Sequence, residues 1–298
     1  NILKFLKYTL FFLKVRESLL LGLMDSKYIP IFETMKTIGI IGCGWLGIPL
    51  GKALQQKEFI VRGTRRSEKG IQLLKENGIN AFQLEVLPNK VSGDLSFFSG
   101  LESLLISIPP ERKKDPTSFV PKIKSLLNII QESGIQRLLF LSSSSVYGKS
   151  GGVFDENTIP VPETQAAKAL YEVEQIIMNC NIPSVVIRLG GLIGENRNPI
   201  IHLQNRKISN PNGSINFVHQ IDAINGISGL LEQTKRNGIY NLVSPHHPSR
   251  RAYYSFIAKK LKFPKPEFEK GETTVRIIKG EKIVAETTFD YIVNNLLI

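Results

Sequence analysis

The sequence predicts an α/β protein: a doubly wound parallel sheet with helices on both faces and a small C-terminal lobe. Three observations carry this. Short apolar, β-rich runs alternate with helix-length amphipathic patterns from residue 36 to about 190, the order that builds a parallel sheet. The run Arg137-Leu-Leu-Phe-Leu-Ser142 is almost wholly apolar, as a central strand covered on both faces must be. The first apolar run, Ile38–Ile41, closes on Gly42, Gly44 and Gly47, a spacing that lets a strand turn tightly into a helix.

In chain order, the first strand is read at 36–41 and its helix at 45–56. Strands at 58–62 and 81–85 flank a helix at 67–77, and a strand at 103–108 leads into a helix at 117–133. The central strand at 137–142 is followed by a helix at 165–179 and a strand at 184–188. Beyond residue 190 the pattern loosens, and Asn196, Asn198, Pro199, Asn210, Pro211, Asn212 and Gly213 mark loops. A helix at 222–235 and a strand at Ile239–Val243 then return to the sheet. The tail, punctuated by Pro245, Pro248, Pro264 and Pro266, reads as a smaller lobe over its edge. The expected organisation is an N-terminal extension (1–34), a nucleotide-binding domain (35–190) and a substrate lobe (191–298) that sends 222–243 back to the sheet.

Each glycine of the G-x-G-x-x-G run has a physical job. Gly42 allows the turn, Gly44 admits a pyrophosphate to the backbone, and Gly47 lets the helix lie close on the strand. The pyrophosphate would sit against the free N–H groups of Trp45, Leu46 and Gly47, at the positive end of the helix. A dinucleotide site is therefore expected. An acid that would hold a ribose 2′-hydroxyl belongs about 20 residues further on. That stretch reads Val61-Arg-Gly-Thr-Arg-Arg66, with no carboxylate before Glu68. Thr64, Arg65 and Arg66 suit a 2′-phosphate, which wants charge and forked donors. NADP is expected over NAD; the alternative is that both arginines are exposed loop charges.

Length and composition bound the rest. With 298 residues, 42% hydrophobic and 21% charged, the chain can bury a large core. Its two cysteines, Cys43 and Cys180, match no metal spacing and imply no disulfide framework, which fits a cytoplasmic setting. Cys43 reads as a small filler in the glycine loop. Much of the excess behind the formal charge of +12 falls in 250–282, spread among apolar positions without a nucleic-acid motif. A solvated basic face is one reading; a positive field that draws in an anionic small-molecule substrate is the other. Residues 1–34 hold no uninterrupted apolar run near the ~18–20 residues that cross a bilayer. Met35-Lys36-Thr37 reads as a natural start, and a homodimer is left open.

After the fifth strand comes Leu141-Ser-Ser-Ser-Ser-Val-Tyr-Gly148, then Val186-Ile-Arg-Leu-Gly-Gly-Leu-Ile-Gly194, Asn216-Phe-Val-His-Gln-Ile-Asp222 and Tyr240-Asn-Leu242. With the glycine loop, these segments resemble the extended short-chain dehydrogenase/reductases, the NAD-dependent epimerase/dehydratase group with its Rossmann domain. The resemblance is closest to the atypical YeeZ-like branch, and it covers 35–298. It implies a catalytic Ser or Thr, a Tyr-x-x-x-Lys pair and a nicotinamide cofactor. By position the hydroxyl is Ser143 and the lysine Lys168, but Thr164 stands where the tyrosine belongs. No Tyr-x-x-x-Lys occurs anywhere in the chain. A threonine alcohol is too weak an acid for a role that a phenol of pKa ≈ 10 can be tuned to fill. Tyr147 is the stand-in proton donor. The glycine loop is also one residue shorter than the group's usual G-x-x-G-x-x-G.

Weaker candidates complete the reading. Arg197, and the pair Arg206/Lys207, lie where a substrate lobe contacts ligand and could clamp an anion. His219 and Asp222 read as a loop histidine and a helix cap. His246 and His247 lack further ligands at zinc spacing, so no metal site is expected. The expected activity is an NAD(P)-dependent oxidoreductase or epimerase acting on a small carbonyl or sugar-derived substrate. The alternative is a catalytically weak NADP(H)-binding sensor or interaction protein.

Overall fold

A computed structural model describes residues 36–298 apart from 111–114, 205, 234–236 and 272. The expectations for residues 1–34 lie outside the described residues. The sheet is built from β1 (Thr37–Ile41), β2 (Ile60–Arg65), β3 (Asn80–Val86), β4 (Val91–Gly93), β5 (Ser103–Ile106) and β6 (Arg137–Ser143). A short strand, β7 (Gly152–Phe154), lies outside it; β8 (Ser184–Leu189) rejoins it. Then come β9 (Gly191–Ile193), β10 (Phe217–His219), β11 (Gly238–Leu242) and β12 (Arg276–Ile278). The eight-stranded sheet runs β11-β8-β6-β5-β1-β2-β3-β4. It is parallel throughout except for β4, which pairs antiparallel with β3. Two small parallel sheets, β9–β10 and β7–β12, stand apart.

Strand alternation sorts the core into two layers. Leu138 and Phe140 of β6 face a layer with Phe119, Ile123 and Ile130 of α3 (Phe119–Glu132) and Leu170 and Val173 of α4 (Gln165–Met178). Leu139, between them, faces the opposite layer with Leu50 and Leu54 of α1 (Gly47–Gln56) and Ile227 and Leu230 of α6 (Gln220–Glu232). The remaining helices are α2 (Glu68–Glu76), the single turn α5 (Ile200–Leu203), α7 (Arg250–Lys260) and α8 (Glu281–Glu286). A third cluster, with Ile200, Ile208, Ile215, Tyr253 and Tyr254, is the core of the C-terminal lobe.

The predicted elements differ from these mostly at their ends. The strand read at 58–62 is Ile60–Arg65, which moves Thr64 and Arg65 from a loop onto the strand's C-terminal end. The expected cap role of Asp222 is a correction: His219 caps α6, its Nδ1 accepting the Ile221 N–H at 3.3 Å. Asp222 instead accepts the Ile292 N–H at 2.8 Å, tying the C-terminal segment to α6.

Candidate functional site

β1 and β5 are neighbours although their sequence-adjacent partners lie on opposite sides, so the chain parts at their carboxyl ends. Such a switch point opens a ligand crevice. A cleft of about 1390 Å³ lies there. That exceeds the ~300–1,000 Å³ of a pocket for one small molecule, leaving room for a dinucleotide and a substrate together.

The glycine loop fits a dinucleotide on its own geometry. Gly42 has φ +82°, and a Cβ there would lie 3.0 Å from the Ser107 carbonyl oxygen. A Cβ on Gly47 would lie 3.2 Å from Cys43 Sγ and 3.3 Å from Ile40, so helix α1 sits as close on β1 as a glycine allows. Cys43 is the expected filler: burial pushes its thiol up to about 12. The first loop-to-helix bond runs from the Ile48 N–H to the Gly44 carbonyl at 3.0 Å. The amides of Trp45, Leu46 and Gly47 thus have no acceptor among the described residues, as an anion cradle requires.

Arg65 lies beside that cradle. A Cβ on Gly44 would be 3.1 Å from its Nη1, and one on Gly70 would be 2.8 Å from its Nε. Glycine at 70 in α2 therefore makes room for the arginine, a signal the sequence reading did not use. The Arg65 guanidinium makes no hydrogen bond or ion pair with the described residues. Arg66 is exposed, with Glu85 at 4.0 Å. Thr64 braces the loop: its Oγ1 accepts the Gly42 N–H and its carbonyl the Cys43 N–H, each at 3.2 Å.

Trp45 and Arg197 meet over the same loop, with the guanidinium 4.8 Å from the ring centroid. A Cβ on Gly194 would touch that ring at 3.1 Å, and Gln220 Nε2 donates to the Trp45 carbonyl at 2.9 Å. Gly194, Arg197 and Gln220 thereby clasp the glycine loop. Arg206 and Lys207 do not line the cleft; both are exposed.

The serine segment ends β6 in a 3₁₀ turn, Ser144–Tyr147. Ser143 lines the cleft and accepts the Ser145 N–H at 3.2 Å, leaving its own O–H free to donate. Ser145 Oγ, also at the cleft, is buried without a partner among the described residues. Ser142 is locked behind them, donating to Glu174 Oε1 at 2.5 Å.

Two sequence expectations are corrected here. Tyr147 does not reach the cleft: it is 1% exposed, and its single hydroxyl proton goes to the Asp155 carbonyl at 2.7 Å, with Asn241 Oδ1 also within reach at 3.0 Å, while the oxygen accepts from Arg188 Nη1 at 2.8 Å. Burial pushes its phenol up, against Arg188. Its proton is committed to the fold. Lys168 is exposed on the first turn of α4 and absent from the cleft wall. Thr164 does line the cleft, and its Oγ1 caps α4 by accepting the Ala167 N–H at 3.1 Å. A threonine here is a helix cap.

The sequence reading missed the far end of the cleft. Arg250, Tyr254 and Arg276 line it, which places part of the basic excess of 250–282 on the cleft wall and not on a solvated face, the first of the two readings given above. Lys149 and Glu163 lie nearby, the Glu163 carboxylate accepting the Lys149 N–H at 2.6 Å. Among the described residues lining the cleft, Arg65, Arg66, Lys122, Lys149, Arg197, Arg250 and Arg276 stand against the single carboxylate of Glu163. The wall is built for anions.

A glycine loop at a parallel sheet's switch point, with serines at the end of the neighbouring strands, defines a dinucleotide-binding protein of the extended short-chain dehydrogenase/reductase type. The model of the NAD dependent epimerase/dehydratase family matches residues 122–242. Protein YeeZ of Escherichia coli (strain K12) is 32% identical over 263 residues, 86% of this chain and 96% of that protein. The UDP-glucuronic acid 4-epimerase from Bacillus cereus in complex with NAD shares the fold at a TM-score of 0.72 and 18% identity, over 88% of this chain and 95% of that one. A functionally unknown conserved protein from Silicibacter pomeroyi DSS has a TM-score of 0.72 and 20% identity, over 88% and 96%. This chain belongs to the NAD-dependent epimerase/dehydratase family, in its YeeZ-like branch. No helix among its described residues is long and apolar enough to cross a membrane.

Proposed function

We propose that the chain binds NADP(H) in preference to NAD(H) and acts on a small, anionic carbonyl or sugar-derived substrate in the same cleft. Residues 35–190 hold the cofactor and 191–298 supply the substrate lobe. The carrying observation is the unpaired Arg65 guanidinium, set 3.1 Å from where Gly44 would carry a Cβ. There it can take a 2′-phosphate beside the pyrophosphate cradle. When bound, the nicotinamide supplies hydride transfer. Ser143 O–H donates to the substrate's carbonyl or alcohol oxygen, and Trp45 with Arg197 shields the cofactor loop from water. The proton is exchanged with solvent, since Tyr147 is sequestered and Thr164 caps a helix.

That same loss of a positioned phenol and lysine favours a second reading, an NADP(H)-binding sensor with weak turnover. Both readings share the cofactor test. Trp45 is the chain's only tryptophan, so NADPH and NADH can be titrated by its emission and by calorimetry. NADPH should bind more tightly, and Arg65→Ala should erase the difference. Losing a charge-assisted contact of about 1.5–3 kcal/mol weakens NADPH about 10- to 100-fold. Equal affinities in the unaltered chain, unmoved by Arg65→Ala, would overturn the preference. Turnover of a generic carbonyl with NADPH separates enzyme from sensor.

A further inference from the structure

The chain leaves α7 as Lys259-Lys-Leu-Lys-Phe-Pro-Lys265, four lysines in seven residues with no acid among them. All four lysines are exposed, and Leu261 between them is 44% exposed. The backbone holds this tip in one shape. The Phe263 N–H donates to the Ala258 carbonyl at 2.8 Å and the Lys262 N–H to the Lys259 carbonyl at 3.3 Å, the pair of bonds that ends a helix through a left-handed residue. That residue is Lys262, at φ +59°. Glycine or asparagine suits the position and lysine is strained there, so the turn itself does not account for the lysine. Phe263 then packs against the lobe core, and Ile208 pairs with the main chain of Glu267 and Glu269 at 2.9 and 3.0 Å. The tip stands on an anchored base.

The charges of this tip are unspent. Lys259, Lys262 and Lys265 make no hydrogen bond or ion pair with the described residues. Lys260 donates to the Ile298 main-chain oxygen at 2.7 Å, which brings a second exposed apolar side chain, Ile298 at 77%, beside the lysines. A run of lysines alone is a solvated surface; aliphatic side chains exposed among them ask for a partner that takes both. A bilayer interface does so, since lysine stems lie along apolar surface with their heads at the level of the lipid phosphates. Nucleic acid fits less well. Residues 259–265 offer no arginine fork for a phosphate or base edge, and their one aromatic ring, Phe263, packs against the lobe core and not outward for stacking.

We propose that the Lys259–Lys265 tip docks the protein reversibly on an anionic bilayer surface, with the lysines on the lipid phosphates and Leu261 and Ile298 entering the headgroup layer. The docking is independent of what the cleft binds.

Co-sedimentation of the full chain with two kinds of vesicle tests this: phosphatidylcholine alone, and equal parts phosphatidylcholine and phosphatidylglycerol. Only the anionic vesicles should bind the protein, more weakly as salt rises. A lysine at an anionic surface is worth about 5-fold in affinity, so the triple variant Lys259→Gln/Lys262→Gln/Lys265→Gln should lose about 100-fold. A control triple of equally exposed lysines in the dinucleotide half, Lys52→Gln/Lys75→Gln/Lys90→Gln, should lose less than about 5-fold, because charges beyond a Debye length are screened. Leu261→Ser should weaken binding about 3- to 10-fold, as partial burial of a leucine predicts. Lys262→Gly removes a charge while relieving the left-handed strain, so it should keep the thermal midpoint and still weaken binding about 5-fold. Equal losses in the two triples would mean that net charge alone binds, and the proposal would fall. It would fall equally if neither vesicle bound, if both bound alike, or if duplex DNA bound the tip more tightly than the anionic vesicles.

Discussion

Glu174→Gln is the substitution whose cost the structure defines most sharply. Glu174 and Arg188 are 0% and 1% exposed. The carboxylate accepts from Arg188 Nε at 3.1 Å, from Nη2 at 2.7 Å and from Ser142 Oγ at 2.5 Å. The arginine passes the connection to Tyr147, over whose ring it also lies at 4.9 Å. Glutamine is nearly isosteric, yet it removes the charge and turns one acceptor into an NH2 facing guanidinium N–H donors. Breaking such a pair from one side costs about 3–5 kcal/mol, because the other charge stays buried. At ~2–4 °C per kcal/mol for a domain of this size, the thermal midpoint should fall by about 6–20 °C. Thermal unfolding followed by circular dichroism measures the midpoint, and urea denaturation the free energy behind it. Arg188→Met should cost a similar amount, and the double variant no more than the worse single one, since the stranded charge is gone. A loss under about 1 kcal/mol for Glu174→Gln would show that water reaches the pair, and the reasoning would fail.

Two further outcomes follow from the same structure. Gly42→Ala places a Cβ 3.0 Å from the Ser107 carbonyl oxygen at φ +82°; it should destabilise by about 1–3 kcal/mol and weaken NADPH, both read in one thermal-shift titration. His247 is held neutral by burial, which lowers its pKa below the ordinary 6.5 despite the Ile215 carbonyl at 3.1 Å. The unfolded chain therefore binds the extra proton, so stability is lost as pH falls below 6.5. His247→Asn should flatten that limb of a midpoint-versus-pH curve; an unchanged slope would remove His247 as its cause.

How much could be read beforehand depended on where the information lay. β1, α1, β6 and α4 were legible because their period of apolar residues is local. β7, β9, β10 and β12 have three residues each, too few for a period, and they exist only through tertiary pairing. The site divides the same way. The glycine loop is a local motif, and the positive φ of Gly42 and the close helix packing at Gly47 can be read from it. Tyr147 misled because its partners Asp155, Arg188 and Asn241 lie 8, 41 and 94 positions away, so nothing nearby in sequence shows its hydroxyl to be spent. Arg250 and Arg276 were hidden for the converse reason. A basic residue among apolar neighbours looks the same whether it faces bulk water or a cleft wall.

The order of the sheet also bears on how the chain is made. β8 is buried along its whole length, and one of its two edges is covered only by β11. About fifty residues separate the two, so at ~5–20 residues per second of synthesis that edge stays bare for several seconds. An apolar strand with an open ladder invites pairing with any other chain nearby. The nascent protein is thus most prone to aggregate after Leu189 has emerged and before Leu242 has. A ribosome stalled in that interval would hold a nearly complete fold by its stickiest side.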